Sequence, residues 1–259
     1  MEYDTLTTSI DDKGIAIISM ARPEMMNALN KQMRAELTNA IKTLSTQARV
    51  LVLTGTGRAF CSGQDLGDGG NAAQIDLERT LREEYEPLLR AIYDAPVPVI
   101  AAVNGAAAGA GANLALAADV VIACESAMFI QAFTRIGLIP DAGGTYFLPR
   151  QVGFARAMGA MLFADRIPAR QAADWGMIWE AVPDEIFEAT WMARATTLAS
   201  GPTVAYRNIR KAVRASLSNS LDGQLALEAR LQAEAGKTRD FKEGVLSFLE
   251  KRPPEFEGR

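Results

Sequence analysis

The chain has 259 residues, 49% of them hydrophobic, with a formal charge of -4 and a pI near 5.1, enough apolar content for a sizeable core in one large α/β domain or a domain with an appendage. No window approaches the roughly 18 apolar residues of a membrane span. The polar, acidic start MEYDTLTTSIDD is unlike a signal peptide, and no run of Lys and Arg offers a surface for phosphate backbones, so a cytoplasmic protein that binds neither membrane nor nucleic acid is expected. The sequence contains no histidine, and its only cysteines are Cys61 and Cys124. Imidazole-based triads, Cys-His pairs and His metal sites are therefore excluded, and acid-base work falls to carboxylates, Lys, Tyr or water.

In chain order, GIAIISM (14–20) reads as a strand. The stretch from Asn27 to Ser45 has helical spacing through Met33, Leu37, Ile41 and Leu44, with Asn30 as its cap. RVLVLTG (49–55) reads as a buried strand closed by glycine, and Asp76 to Asp94 as a helix stopped by Pro96 and Pro98. VPVIAAV (97–103) and VVIAC (120–124) read as further buried strands, separated by a run of small residues. This alternation predicts α/β architecture over residues 1–200. Three helical candidates without an intervening strand follow, predicting an all-helical region over 201–259. The first carries Arg207, Arg210, Lys211 and Arg214 on one side, read as a solvated face.

Three segments carry candidate chemistry. In GRAFCSGQDL (57–66), Gly63 permits a positive φ and small Ser62 lets backbone N–H groups approach a ligand; read alone it is also an ordinary loop, and Cys61, with no base to activate it, reads as a buried small side chain. NGAAAGAGANLALAADV (104–120) runs from a strand through a Gly/Ala turn into a short helix. Its unpaired N–H groups suit an oxyanion, or its small residues merely allow close packing. In FTRIGLIPDAGGTYFLPRQVG (133–153), Asp141 reads most simply as a helix N-cap, yet the apolar Ile136, Leu138, Ile139 and Pro140 suggest an interior approach. Burial would raise its pKa and a helix N-terminus would lower it.

Together with RPEMMNALN near the start, these segments in this order resemble the enoyl-CoA hydratase/isomerase (crotonase) family along nearly the whole chain. The resemblance implies a spiral of ββα units, a C-terminal helical region used in trimerisation, acyl-CoA thioester substrates, and no cofactor beyond the CoA of the substrate; no metal is expected. It implies a homotrimer or dimer of trimers. It also implies that the N–H groups of Ser62 and Ala110 hold the thioester oxygen as it becomes an enolate. Ala59, Gln64, Asp65 and Leu66 would lie near the CoA adenine, Arg22 near its phosphates, and Phe248 and Lys251 would reach CoA, often from a neighbouring subunit.

Hydratases of this family carry glutamates where this chain has Asn113 and Phe133. The retained carboxylate, Asp141, resembles instead the isomerase branch of ring-epoxide isomerases of phenylacetate degradation and Δ3,Δ2-enoyl-CoA isomerases, in which one carboxylate takes the α proton and returns it at the γ carbon. Asn113 is expected either to hydrogen-bond substrate or carboxylate, or to be structural. Hydratase activity, an aryl-CoA dehalogenase-like nucleophilic aspartate, and a non-catalytic role are the alternatives. Tyr85, Leu88, Leu89, Phe133 and Phe147 are candidates for an acyl pocket or for plain core.

Overall fold

The apolar runs pair into two sheets in a computed structural model, which describes residues 2–67 and 76–259. Strands β1 (Leu6–Ile10) and β2 (Ile15–Met20) form an antiparallel hairpin, and β2 continues into a parallel array with β3 (Val50–Gly55), β5 (Val99–Val103), β7 (Val120–Cys124) and β10 (Glu180–Val182). Between them, β4 (Ala59–Cys61), β6 (Ala106–Ala108), β8 (Met128–Ile130) and β9 (Ile167–Pro168) build a second sheet in that order. Each turn of the chain thus places one strand in the first sheet, one short strand in the second, and then a helix. This is the expected ββα spiral, coiled around a core that includes Leu51, Ile100, Phe60 and Phe129. The three-residue strands of the second sheet are too short for an alternating pattern to announce them.

The helices are α1 (Lys31–Leu44), α2 (Leu77–Thr80), α3 (Glu86–Tyr93), α4 (Ala110–Leu116), α5 (Gly144–Val152), α6 (Phe154–Phe163), α7 (Ala169–Asp174), α8 (Phe187–Ala199), α9 (Thr203–Ser216), α10 (Leu221–Ala235) and α11 (Arg239–Glu250). Asn30 caps α1 as expected, its Oδ1 accepting from the Met33 amide at 2.8 Å. The helix expected from Asp76 to Asp94 runs from Leu77 to Tyr93, with a π-helical turn inside it at Leu81–Tyr85, closed by the Glu86 amide donating to the Leu81 carbonyl. The cause is Pro87, which has no N–H for the regular ladder and whose ring would crowd the carbonyl four residues back.

The arginines of α9 correct the reading of a solvated face. Arg210 is buried, its Nε 2.7 Å from Asp119 Oδ2, and it donates to the carbonyls of Ala95 and Tyr93. Arg214 reaches Asp119 Oδ1 at 2.7 Å and stacks over the Tyr93 ring. Asp119 also accepts from the Val99 amide, so it joins β5 to α9. Lys211 is exposed, while Arg207 pairs with Glu234 on α10. Charge spacing along a helix does not distinguish cations facing water from cations that latch onto carbonyls at the end of another helix.

Candidate active site

Asn27 is fully buried and organises the first wall of the site. Its Oδ1 accepts from the Arg22 amide, and its Nδ2 donates to the carbonyls of Thr56 and Ala59. This fastens the RPEMMNALN turn, where Met26 and Asn27 both take positive φ, onto the loop that leads to Ser62. Gly63 has φ +97, and a Cβ there would stand 2.8 Å from the Ala108 carbonyl and 3.4 Å from the Ala110 nitrogen. Only glycine lets the Ser62 loop approach the start of α4 so closely.

The two expected oxyanion donors are not equivalent. Ala110 is the first residue of α4, where helix geometry leaves the N–H without an intrahelical acceptor. The Ser62 N–H donates to the Met26 carbonyl at 3.0 Å. Cys61, beside them, is fully buried and burial pushes its thiol up to about 12, in keeping with an inert packing role.

Asp141 sits in the turn before α5, but its side chain is not the cap. The N-cap position is Gly143, with no side-chain bond, and it is the Asp141 backbone carbonyl that accepts from the Gly144 amide at 2.8 Å. Asp141 stands partly buried on the wall of a cavity of about 620 Å³, and its buried Oδ1 has no hydrogen-bond partner among the described residues. Burial outweighs the hydrogen bond from its own backbone and raises its pKa to about 6. The interior approach expected before it holds only in part: Ile139 is 78% exposed and Ile136 is also exposed, whereas Leu138 is half-buried and Pro140 buried.

Asn113 is fully buried and tied on both sides. Its Nδ2 donates to the Asp141 carbonyl at 2.8 Å, and its Oδ1 accepts from Gln131 Nε2 at 2.8 Å. Gly144 makes room for this, since a Cβ there would lie 2.9 Å from the Asn113 Oδ1. Gln131 had no sequence signal beyond being a polar residue after a short apolar run. Phe133, at the other glutamate position, is buried away from the cavity lining.

Tyr85, Leu89 and Phe147 line the cavity, whereas Leu88 is plain core. Tyr93, Tyr146, Leu81 and Leu138 join the lining and were not anticipated. Under the wall, Gln64 Oε1 accepts from the hydroxyl of Tyr85 and from Arg34 NH1 at 3.1 Å, and Arg34 also pairs with Glu84. Gln64 thus points into an internal network. Arg22 donates to Asp65 at 2.9 Å and to the Ala28 carbonyl. Ala59 is buried, and its carbonyl already accepts from Asn27. Leu66 is exposed beside this cluster. Phe248 and Lys251 lie at the end of α11, Phe248 being 82% exposed; neither lines the cavity within one chain. Among the described residues no cluster of three or more Cys, Asp or Glu is arranged for a metal ion.

The cavity thus carries two carboxylates, the exposed Glu86 and the partly buried Asp141, and Asn113 ties the Asp141 turn to α4, whose first amide is that of Ala110. The family described as enoyl-CoA hydratase/isomerase matches residues 11–259, and the chain belongs to it. It is 65% identical over 259 residues, all of both chains, to a protein of Rhodobacter capsulatus named "Probable enoyl-CoA hydratase". It is 46% identical over 253 residues, 96% of this chain and 97% of the relative, to the 1,2-epoxyphenylacetyl-CoA isomerase of Escherichia coli. The crystal structure of an enoyl-CoA hydratase from Bacillus anthracis superposes with a TM-score of 0.91 at 32% identity, covering 99% of this chain and all of that one.

Proposed function

We propose that the protein is an acyl-CoA isomerase in which Asp141 is the single acid-base group. The observation that carries this reading is the Asp141 carboxylate itself, held on the cavity wall at a pKa of about 6 with one oxygen unpartnered among the described residues. A carboxylate of that basicity is mostly ionised at neutral pH yet holds a proton long enough to return it. With a 3-enoyl-CoA, Asp141 takes a proton from the α carbon, and the electron pair delocalises onto the thioester oxygen as a dienolate. The Ala110 N–H meets that oxygen, and the Ser62 N–H joins by turning from the Met26 carbonyl. The carboxylic acid then protonates the γ carbon, which leaves the double bond conjugated and the aspartate ionised. The same proton transfers suit opening and rearrangement of a ring epoxide, the chemistry in the name of the Escherichia coli relative.

Arg22, Ala59, Gln64, Asp65 and Leu66 are proposed to hold the CoA end mainly through backbone atoms, because their polar side chains are already engaged, Arg22 with Asp65 and Gln64 with Arg34 and Tyr85. Phe248 and Lys251 are proposed to act across a subunit boundary in a trimer. The exposed apolar residues Leu221, Leu225, Leu246 and Leu249 support such an assembly.

A hydratase is the second reading, favoured by the name of the 65% identical relative. Against it, the amide of Asn113 and the packed ring of Phe133 offer no second carboxylate to activate water. The test is to add protein to 3-hexenoyl-CoA and follow the rise in absorbance of the conjugated thioester, then to ask whether 2-hexenoyl-CoA loses it. Conjugation without hydration supports the isomerase; rapid hydration without conjugation sinks it.

A further inference from the structure

A second cavity, of about 510 Å³, lies on the far side of the acyl cavity, and Tyr93, Tyr146 and Phe147 line both. The three rings form a wall. Tyr146 meets Phe147 edge-on with centroids 5.2 Å apart, and Tyr93 lies 6.2 Å from Phe147. The wall is braced from the second cavity: Arg150 stacks 3.8 Å from the Tyr146 centroid and Arg214 stacks 3.8 Å from that of Tyr93, while Arg214 is anchored on Asp119. Neither arginine lines the first cavity. Behind the rings the space is largely apolar, with Leu198 among its lining residues.

We propose that the Tyr93–Phe147–Tyr146 wall is a chain-length stop, confining the acyl site to short or ring-sized groups and separating it from a space that would otherwise take a long alkyl chain. Each ring is held by a neighbouring ring or a stacked guanidinium, so the stop is rigid, and an acyl tail longer than the first cavity meets it end-on. The proposal rests on the acyl-CoA reading above, but concerns where the tail ends and not which proton moves.

The test is calorimetric binding of hexanoyl-CoA and dodecanoyl-CoA, which need no turnover. The wild-type protein is expected to prefer hexanoyl-CoA. Phe147→Ala is expected to raise the ratio of dodecanoyl to hexanoyl affinity at least tenfold, and Leu198→Phe, which narrows the second cavity, is expected to leave wild-type binding unchanged and to reverse the gain in the Phe147→Ala background. Tyr146→Ala, nearer the surface, supplies a second opening if Phe147→Ala does not fold. An unchanged ratio in a folded opening variant, or a gain that Leu198→Phe does not reverse, overturns the stop. Binding that shifts as expected in a protein without isomerase activity keeps the stop and removes the proposed reaction; failure to bind either thioester removes both.

Discussion

Asn113 Nδ2 donates to the backbone carbonyl of Asp141 at 2.8 Å, so the amide standing where hydratases carry a glutamate holds the main chain of the proposed base. That bond fixes the orientation of the Asn113 amide, and Gln131 Nε2 then fits its remaining oxygen. Asn113→Ala leaves the buried Gln131 Nε2 donor unpaired and removes one of the two hydrogen bonds to the Asp141 carbonyl, which keeps the one from Gly144, at a cost of about 1 to 3 kcal/mol in urea unfolding. A fall in kcat much larger than any rise in KM is the kinetic counterpart. Full activity in a folded variant would show that the Asp141 turn holds itself in place.

Asp141→Asn separates chemistry from stability. Isomerase activity is expected to drop by at least about a hundredfold, the usual scale for a lost acid-base group, while acyl-CoA still binds. Stability should move the other way. The folded pKa of about 6 lies above the ordinary value of 3.8, so the folded protein binds this proton more tightly than the unfolded chain. The resulting contribution is complete below the ordinary value and is lost as pH rises through about 6. At pH above 7 the neutral amide is thus expected to be more stable than wild type by about 1 to 2 kcal/mol after solvent screening, a gain that vanishes in acid. Thermal melts at both ends of that range check the sign.

The same ionisation governs the rate. Because the free protein must present a carboxylate, kcat/KM should rise with pH and level off above the Asp141 pKa of about 6. A profile flat from pH 5 to 8 would point to another base.

Asp119 ties the C-terminal helices to the sheet, and its loss leaves the guanidiniums of Arg210 and Arg214 without their shared carboxylate. Asp119→Ala is expected to cost about 3 kcal/mol or more, as breaking one side of a buried ion pair does. The contrasting variant Arg207→Ala, at a half-exposed pair with Glu234, is expected to change stability by less than about 1 kcal/mol.

Sedimentation velocity tests the assembly. A trimer, or a dimer of trimers, is expected, with Phe248→Ala weakening acyl-CoA binding only if that exposed ring meets a neighbour's site. A stable, active monomer would remove both expectations.

The long apolar runs that became β3, β5 and β7 were legible in the sequence because strands buried on both faces need no alternation. So was the cap at Asn30, a purely local signal. What stayed hidden depended on distant partners. Asp141 looks like a cap until the fold shows that Gly143 holds the cap position and that the carboxylate faces a cavity. The N–H of Ser62 looks open until the turn at Met26 brings a carbonyl to it. Arg210 and Arg214 read as surface charge because their carbonyl partners at Ile92, Tyr93 and Ala95 lie far back along the chain. The adenine and phosphate contacts implied for Gln64 and Arg22 came from resemblance, and both side chains prove engaged within the protein.

The π-helical turn at Leu81–Tyr85 makes the acyl cavity a matter of residue count as well as residue type. One extra residue in that turn advances everything after it by about 100° around the helix axis. Leu89 and Tyr93 consequently face the cavity while Leu88 and Ile92 face the core. Deleting Glu83 or Glu84 would rotate that wall as a block, swapping cavity faces for core faces without removing any lining side chain. Within this architecture, insertions and deletions at one helical turn are a route to new acyl specificity that substitution tables would never register.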